Sequence, residues 1–298
     1  RRTGRRVSAT TLNTSRFRTA VCAVSGAALL AGCTPDVQLD ALDQAKTANL
    51  ARHVSAEFPA EPTVVDDPLG FETASMFFPR SETLVLCDDT LEAQLRAASI
   101  AVAAHAPMLV YDPARHADYV SLIADMRTVT VLTVGDVAMA PSSGAMRIRR
   151  DPGGIRALGE MTSLRFKEQL VRDVNDAARA VADIDQNDPT WLRAAWADPV
   201  TKPGAKAQPF PVQSRRDANM APQVVATWES SIPSIANARS YGATVTMVPL
   251  ADPRRAHETL FAMAGLGDNP LIALGSQFGS SEELGFRIRQ AERHYRAP

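Results

Sequence analysis

Two stretches of this chain alternate short apolar runs with helical patterns of small residues, and that alternation restricts it to α/β folds with mostly parallel sheets. In the first stretch, Thr83–Cys87 reads as a buried strand, Leu91–Ala104 as a helix and 107–111 as a second strand. A second helix over 116–127 and a third strand over 129–134 follow, closed by Gly135-Asp136. The second stretch repeats the order: strand 223–227, helix 232–241, strand 244–248, helix 256–264, strand 270–274 and helix 280–293. Val85, Met108 and Val131 of the first unit correspond in spacing to Val224, Val245 and Ile272 of the second. The expectation is two related three-layer βαβαβ halves, each with right-handed crossovers and a mostly parallel sheet.

The remainder is less regular. Residues 37–58 read as a polar helix ahead of the first unit, and 173–184 as a helix between the units. Residues 186–222 are rich in Pro, Asp, Lys and Gln, with Trp191 and Trp196 near their start, as in a long excursion or a hinge. This divides the chain into 1–32 (signal peptide), 33–62 (anchor and N-terminal helix), 63–150 (first half), 151–222 (connecting region) and 223–298 (second half).

The leader is set by charge and length. Arg1, Arg2, Arg5, Arg6, Arg16 and Arg18 precede any acidic residue, and an apolar run over 19–32 follows. That run falls short of the roughly 20 apolar residues that span a bilayer. It ends in Leu30-Ala31-Gly32-Cys33, which resembles the lipobox of bacterial lipoproteins. The resemblance implies cleavage before Cys33 and a covalent diacylglyceryl lipid on its sulfur. The protein would then sit at the outer face of the cell membrane, with no other cofactor. The alternatives are an ordinary secretory signal, or a short buried helix that ends in cysteine.

Without the leader, 26 basic residues face 33 acidic ones, a net charge of −7. Such a balance argues against nucleic acid as a partner, because binding it requires clustered Lys and Arg on phosphates. Cys22 leaves with the leader and Cys33 carries lipid, so Cys87 is the one free thiol and no intramolecular disulfide can form.

Phe71-Glu72-Thr73-Ala74, Leu95 to Ala101 (LRAASIA), Ala106-Pro107-Met108-Leu109 and Val134-Gly135 follow one another in the order of a known repeat. Residues 71–136 thus resemble the cell wall-binding repeat 2 family of Gram-positive bacteria. The second half resembles the C-terminal region of actinobacterial proteins that carry this repeat, through Gly242-Ala243-Thr244-Val245, residues 249–254 and residues 273–279 (ALGSQFG). Three positions depart from the pattern: Ala93 replaces an Asp, Ser99 a proline and Asp136 a glycine. Family members carry three tandem repeats that assemble a trefoil and hold anionic wall polymers, whereas one repeat is legible here. The resemblance and the anchor together imply a non-enzymatic envelope protein that binds a wall polymer or an integral membrane protein complex. The alternative is an α/β enzyme acting on wall glycan, with Asp88, Asp89 and Asp136 as its acidic groups.

The residues assign no catalytic or metal-binding group. His53, His105, His116, His257 and His294 lack metal-ligand spacing, and neither HExxH nor CxxC occurs. No Gly-x-Gly-x-x-Gly follows a strand, and there is no Gly-x-Ser-x-Gly elbow. Candidate ligand positions remain, each with a structural alternative. Asp88 and Asp89 stand at a strand's C-terminal end, where they would meet a cation or sugar hydroxyl, or where Asp89 or Thr90 would cap the next helix. Gly275, Gly279 and Ser280 lie where strand meets helix, as an anion cradle or as a capping box completed by Glu283. Arg254 would contact an acidic ligand or merely follow an Asp-Pro turn. Arg147, Arg149 and Arg150 form the one dense basic cluster outside the leader, facing anionic lipid or polymer, or plain solvent. Trp228 would stack on a sugar or close the edge of the core.

Overall fold

The structure is a computed structural model that describes residues 39–141, 144–216 and 220–296. The chain opens with α1 (Ala41–Leu50), β1 (Pro62–Val65) and α2 (Phe71–Phe77). The first unit runs β2 (Thr83–Cys87), α3 (Leu91–Ala104), β3 (Met108–Val110), α4 (His116–Met126), β4 (Thr130–Val134) and β5 (Arg147–Arg150). Then come α5 (Gly154–Thr162), β6 (Lys167–Val171), α6 (Ala177–Ala182) and β7 (Thr190–Ala194). The second unit runs β8 (Gln223–Ala226), α7 (Ile232–Tyr241), β9 (Val245–Met247), α8 (His257–Met263), β10 (Leu271–Leu274) and α9 (Ser281–Arg296). The α/β class read from the sequence is the class observed, and every strand pair is parallel.

Local chemistry explains the strongest elements. All five residues of β2 are buried, as in strands covered on both faces. The helix that follows, α3, is capped by Thr90, whose hydroxyl accepts from the Ala93 amide, and it is buried from Leu95 to Ala104. Small Ala and Ser side chains let neighbours approach it closely. Helix α7 starts on Ser231 and stops at Gly242, whose φ of 111° an L side chain rarely adopts.

The two four-stranded sheets share one topology. Their orders are β3-β2-β4-β5 and β9-β8-β10-β1. In each, the first strand of the unit is central, with the second on one side and the third on the other. Val85 lies opposite Met108, and Val224 opposite both Val245 and Ile272. On β4, however, Val85 meets Leu132 in place of Val131. The outermost strand differs in origin. Strand β5 follows β4 directly, whereas β1, placed by sequence at the head of the first half, pairs with β10 of the second. The four buried residues of β10 give the physical reason, because their outer backbone groups need a partner away from water.

Residues 151–222 are more than a connection. They contain a third, abbreviated unit in which β6 and β7 pair around α6. The helices α3, α6 and α7 pack mutually at the centre of the molecule. Each also lies on the second strand of a different unit: α3 on β7, α7 on β3 and α6 on β9. Three α/β units thus close into a ring around three helices.

Polar locks hold the ring. Arg96 of α3, 1% exposed, forks onto Asp151 through Nε at 2.5 Å and Nη2 at 2.9 Å and stands 4.9 Å from the Trp191 ring. Ser99 accepts the Leu192 amide of β7. Asn237 of α7, fully buried, accepts the Met108 amide at 2.7 Å and donates towards Gly70, Thr73 and Met108. Arg96 and Asn237 stand at the same offset from their helix caps, so equivalent positions dock neighbouring units.

The polar helix read over 37–58 is shorter than expected, ending at Leu50. It packs against α8, with Leu42 buried and Asn49 donating to the Phe261 and Ala264 carbonyls. Farther on, Phe58 enters the core, 5.5 Å from the Phe77 ring.

Candidate anion-binding cleft

At the C-terminal edge of the first sheet, Asp88 is fully engaged. Its Oδ1 accepts from the Thr90 amide at 2.9 Å and the Thr90 hydroxyl at 2.6 Å, and Oδ2 accepts the Asp136 amide at 2.8 Å. The carboxylate therefore ties the ends of β2 and β4. Gly135 makes this possible, since a Cβ there would stand 2.1 Å from Asp88 Oδ2. Asp89 is exposed, and its carbonyl takes the Gln94 side chain. Asp136 is exposed too, facing Lys202 at 3.6 Å.

The second sheet solves the same problem with neutral groups. Gln277 donates to Thr227 and Ser230 hydroxyls and the Leu274 carbonyl, tying the ends of β8 and β10. Gly275, at φ 124°, leaves room for that amide. Ser280 and Glu283 form a reciprocal capping box at 3.1 and 3.2 Å. Gly279 turns the chain into it with φ 81°. The Arg254 guanidinium is held by Asp252 and Gln290, and this contact keeps the Asp252 carboxyl below its usual range. Trp228 is exposed. On β5, Arg150 donates to the Val137 and Met139 carbonyls, while Arg147 is exposed.

Unengaged charge collects at the opposite, N-terminal edge of the first sheet. A cleft of about 670 Å³ opens there, with Arg80, Arg127, Arg215 and Arg216 in its wall and Glu82 as its acid. Helix α4 stops at Arg127, whose backbone is left-handed at φ 56°, and this turns the residue to the rim. The far wall is an extended strap, 211–216, pinned by its own side chains. Gln213 donates to Ser81, Thr83 and the His105 carbonyl. Arg216 lies 4.3 Å over the Phe78 ring and donates to the carbonyls of Arg80 and His105. Arg215 holds Asn187 and the Gln186 carbonyl. Among the described residues, the guanidiniums of Arg80 and Arg127 have no hydrogen-bond or ion-pair partner, and both side chains are exposed.

The positive field registers on its neighbours. Burial, then Arg215 and to a smaller degree Arg216, pull His105 below the ordinary histidine value, against a backbone bond to Ser240 that raises it. Burial likewise lowers Arg216. Such an arrangement can bind phosphates, sulfates or carboxylates, bidentately where an arginine fork is free. The four arginines lie at positions 80, 127, 215 and 216, so no short window of sequence is basic. The one local clue was the adjacent Arg215-Arg216 pair in a Pro-rich stretch.

Cys33 and Leu30, Ala31 and Gly32 lie outside the described residues. Cys87 is buried in β2, and burial, with Asp88 beside it, pushes its thiol well above the usual value. Among the described residues, no group of His, Cys, Asp or Glu is arranged to hold a metal, and no helix is long and apolar enough to cross a membrane. No family model matches this chain, and no curated protein or solved structure was found similar to it.

Proposed function

We propose that this protein is a lipid-anchored envelope protein that acts by binding, and that its arginine cleft holds an anionic polymer of the cell wall. The observation that carries this reading is the pair of guanidiniums, Arg80 and Arg127, that have no partner among the described residues, beside Arg215 and Arg216 in a cleft of about 670 Å³. The mature chain is otherwise net acidic, so the positive charge is local. A diacylglyceryl group on Cys33 would hold the domain at the outer face of the membrane, within reach of the wall. The ring of three α/β units supports the resemblance to a family whose repeats act in threes. The glycan-enzyme alternative is less well supported, because the Asp88 carboxylate is held by three donors.

The test is sedimentation of the full-length chain with inorganic polyphosphate and with purified wall polysaccharide, dextran serving as a neutral control. Arg80→Gln/Arg127→Gln should lose about tenfold or more in affinity for the anions, and binding should weaken with salt. Equal binding by the double variant would reject the cleft. Cys33→Ser should release the chain from membranes or leave it unprocessed, and a processed, membrane-retained variant would reject the anchor.

A further inference from the structure

We propose that the exposed edge of β6 is a self-association surface, where a second copy of this chain pairs antiparallel across a two-fold axis at Leu170. The proposal is independent of the arginine cleft. It starts from a strand position that is filled twice in the ring and open once. In the two larger sheets the opening strand of the unit is central: β2 lies between β3 and β4, and β8 between β9 and β10. Strand β6 is the counterpart of β2 and β8, because β7, like β3 and β9, is the strand on which a central helix lies. Yet the third sheet ends at β6, and no strand among the described residues stands where β4 and β10 stand. All of β2 and β8 is buried, whereas Lys167, Glu168, Gln169 and Leu170 are exposed.

The backbone of that edge is set for pairing. The Lys167 amide donates to the Pro189 carbonyl, and the Val171 carbonyl accepts from the Ala195 amide. This parity turns the backbone groups of Lys167, Gln169 and Val171 towards β7, and those of Glu168 and Leu170 outward. The chain stays extended at Asp173, φ −127° and ψ 143°, which lengthens the edge beyond the strand. Charges usually guard an edge against pairing. Here they run in self-complementary order, Lys-Glu-Gln-Leu-Val-Arg-Asp over 167–173. In two antiparallel copies centred on Leu170, Glu168 faces the copy's Arg172 and Lys167 faces the copy's Asp173. Leu170, 39% exposed, covers its own copy at the axis. Centred on Glu168 instead, the pairing sets two carboxylates against each other, and centred on Gln169 it leaves Lys167 opposite Val171. The contact is isologous, so each attractive pair occurs twice. Lys167 and Glu168 touch Asp188 and Arg193 within the chain, while Arg172 is exposed and has no hydrogen-bond or ion-pair partner among the described residues.

The experiment is sedimentation velocity of the full-length chain from about 5 μM to about 500 μM, the range suited to a small interface. The parent should pass from monomer to dimer across it, and should associate more weakly at high salt. Glu168→Arg and Arg172→Glu each set like charges face to face twice, and each should weaken the dimer about tenfold or more. Mixed in equal amounts, the two variants should associate as strongly as the parent, because every reversed charge then meets its opposite. Arg172→Glu changes an exposed side chain without a partner among the described residues, so it decides alone if Glu168→Arg fails to fold. A parent chain that stays monomeric throughout would overturn the proposal and leave the edge to an extended segment of another protein. A dimer that neither variant weakens, or variants that do not recover on mixing, would also overturn it and assign association to another surface.

Discussion

The two edges of the first sheet carry comparable polar inventories put to opposite uses. At the C-terminal edge, Asp88 closes three hydrogen bonds and ties β2 to β4, so a carboxylate that looks like part of a site serves as fastening. At the N-terminal edge, fastening falls to Gln213 and Arg216, and the guanidiniums of Arg80 and Arg127 have no partner among the described residues. The contrast teaches that a strand-end carboxylate points to a ligand only when its oxygens lack donors from its own backbone. Where function concentrates is better judged by unsatisfied charge than by charge itself.

Substitutions can break or sharpen that contrast. The largest effect is expected far from either edge: Arg96→Ala leaves Asp151 buried and uncompensated, and should cost about 3–5 kcal/mol in denaturant unfolding. A loss below about 1 kcal/mol would mean the ring does not depend on this lock. Asp88→Ala should cost about 2 kcal/mol by the same measurement and leave anion binding intact. Reduced binding by a folded Asp88→Ala would blur the distinction between the edges. Ser280→Ala removes half of a capping box and should cost about 1 kcal/mol, read as a small fall in Tm. Arg80→Gln/Arg127→Gln should change stability by less than about 0.5 kcal/mol despite its large effect on binding, because both side chains are exposed and have no partner among the described residues. The smallest effect concerns Glu72, whose carboxyl is raised by burial and then by Asp67 and Asp66. Its folded value lies above the unfolded one, so its contribution to stability is full at acid pH and is lost as pH rises through the folded value. Glu72→Gln should flatten that slope, and an unchanged slope would assign it to other groups.

Much of the fold was legible because buried parallel strands leave compact apolar runs. Thr83–Cys87 and Leu271–Leu274 are such runs, and Ser231 and Gly242 mark both ends of α7. The third unit was not legible, because β6 (KEQLV) is exposed over four of five residues and carries its ion pairs outward. A surface strand has no need of an apolar run. The allegiance of β1 was hidden for another reason: Pro-Thr-Val-Val says strand, but nothing local says which sheet. For the site, the capping alternatives at Thr90 and Ser280 could be written down from spacing alone, since caps are local. The cleft could not, because it joins arginines brought together only by the ring.

The crossing of β1 into the second sheet also sets an order of assembly. Its partner β10 stands about two hundred residues later, at Leu271–Leu274. A chain emerging N-terminus first therefore keeps Pro62–Val65 unpaired until β10 has been delivered. Closing such a distant pairing is slow and leaves an apolar strand exposed to neighbours meanwhile. Strand β10 is thus the one that secures β1, and a chain cut short before β10 would leave β1 without its partner.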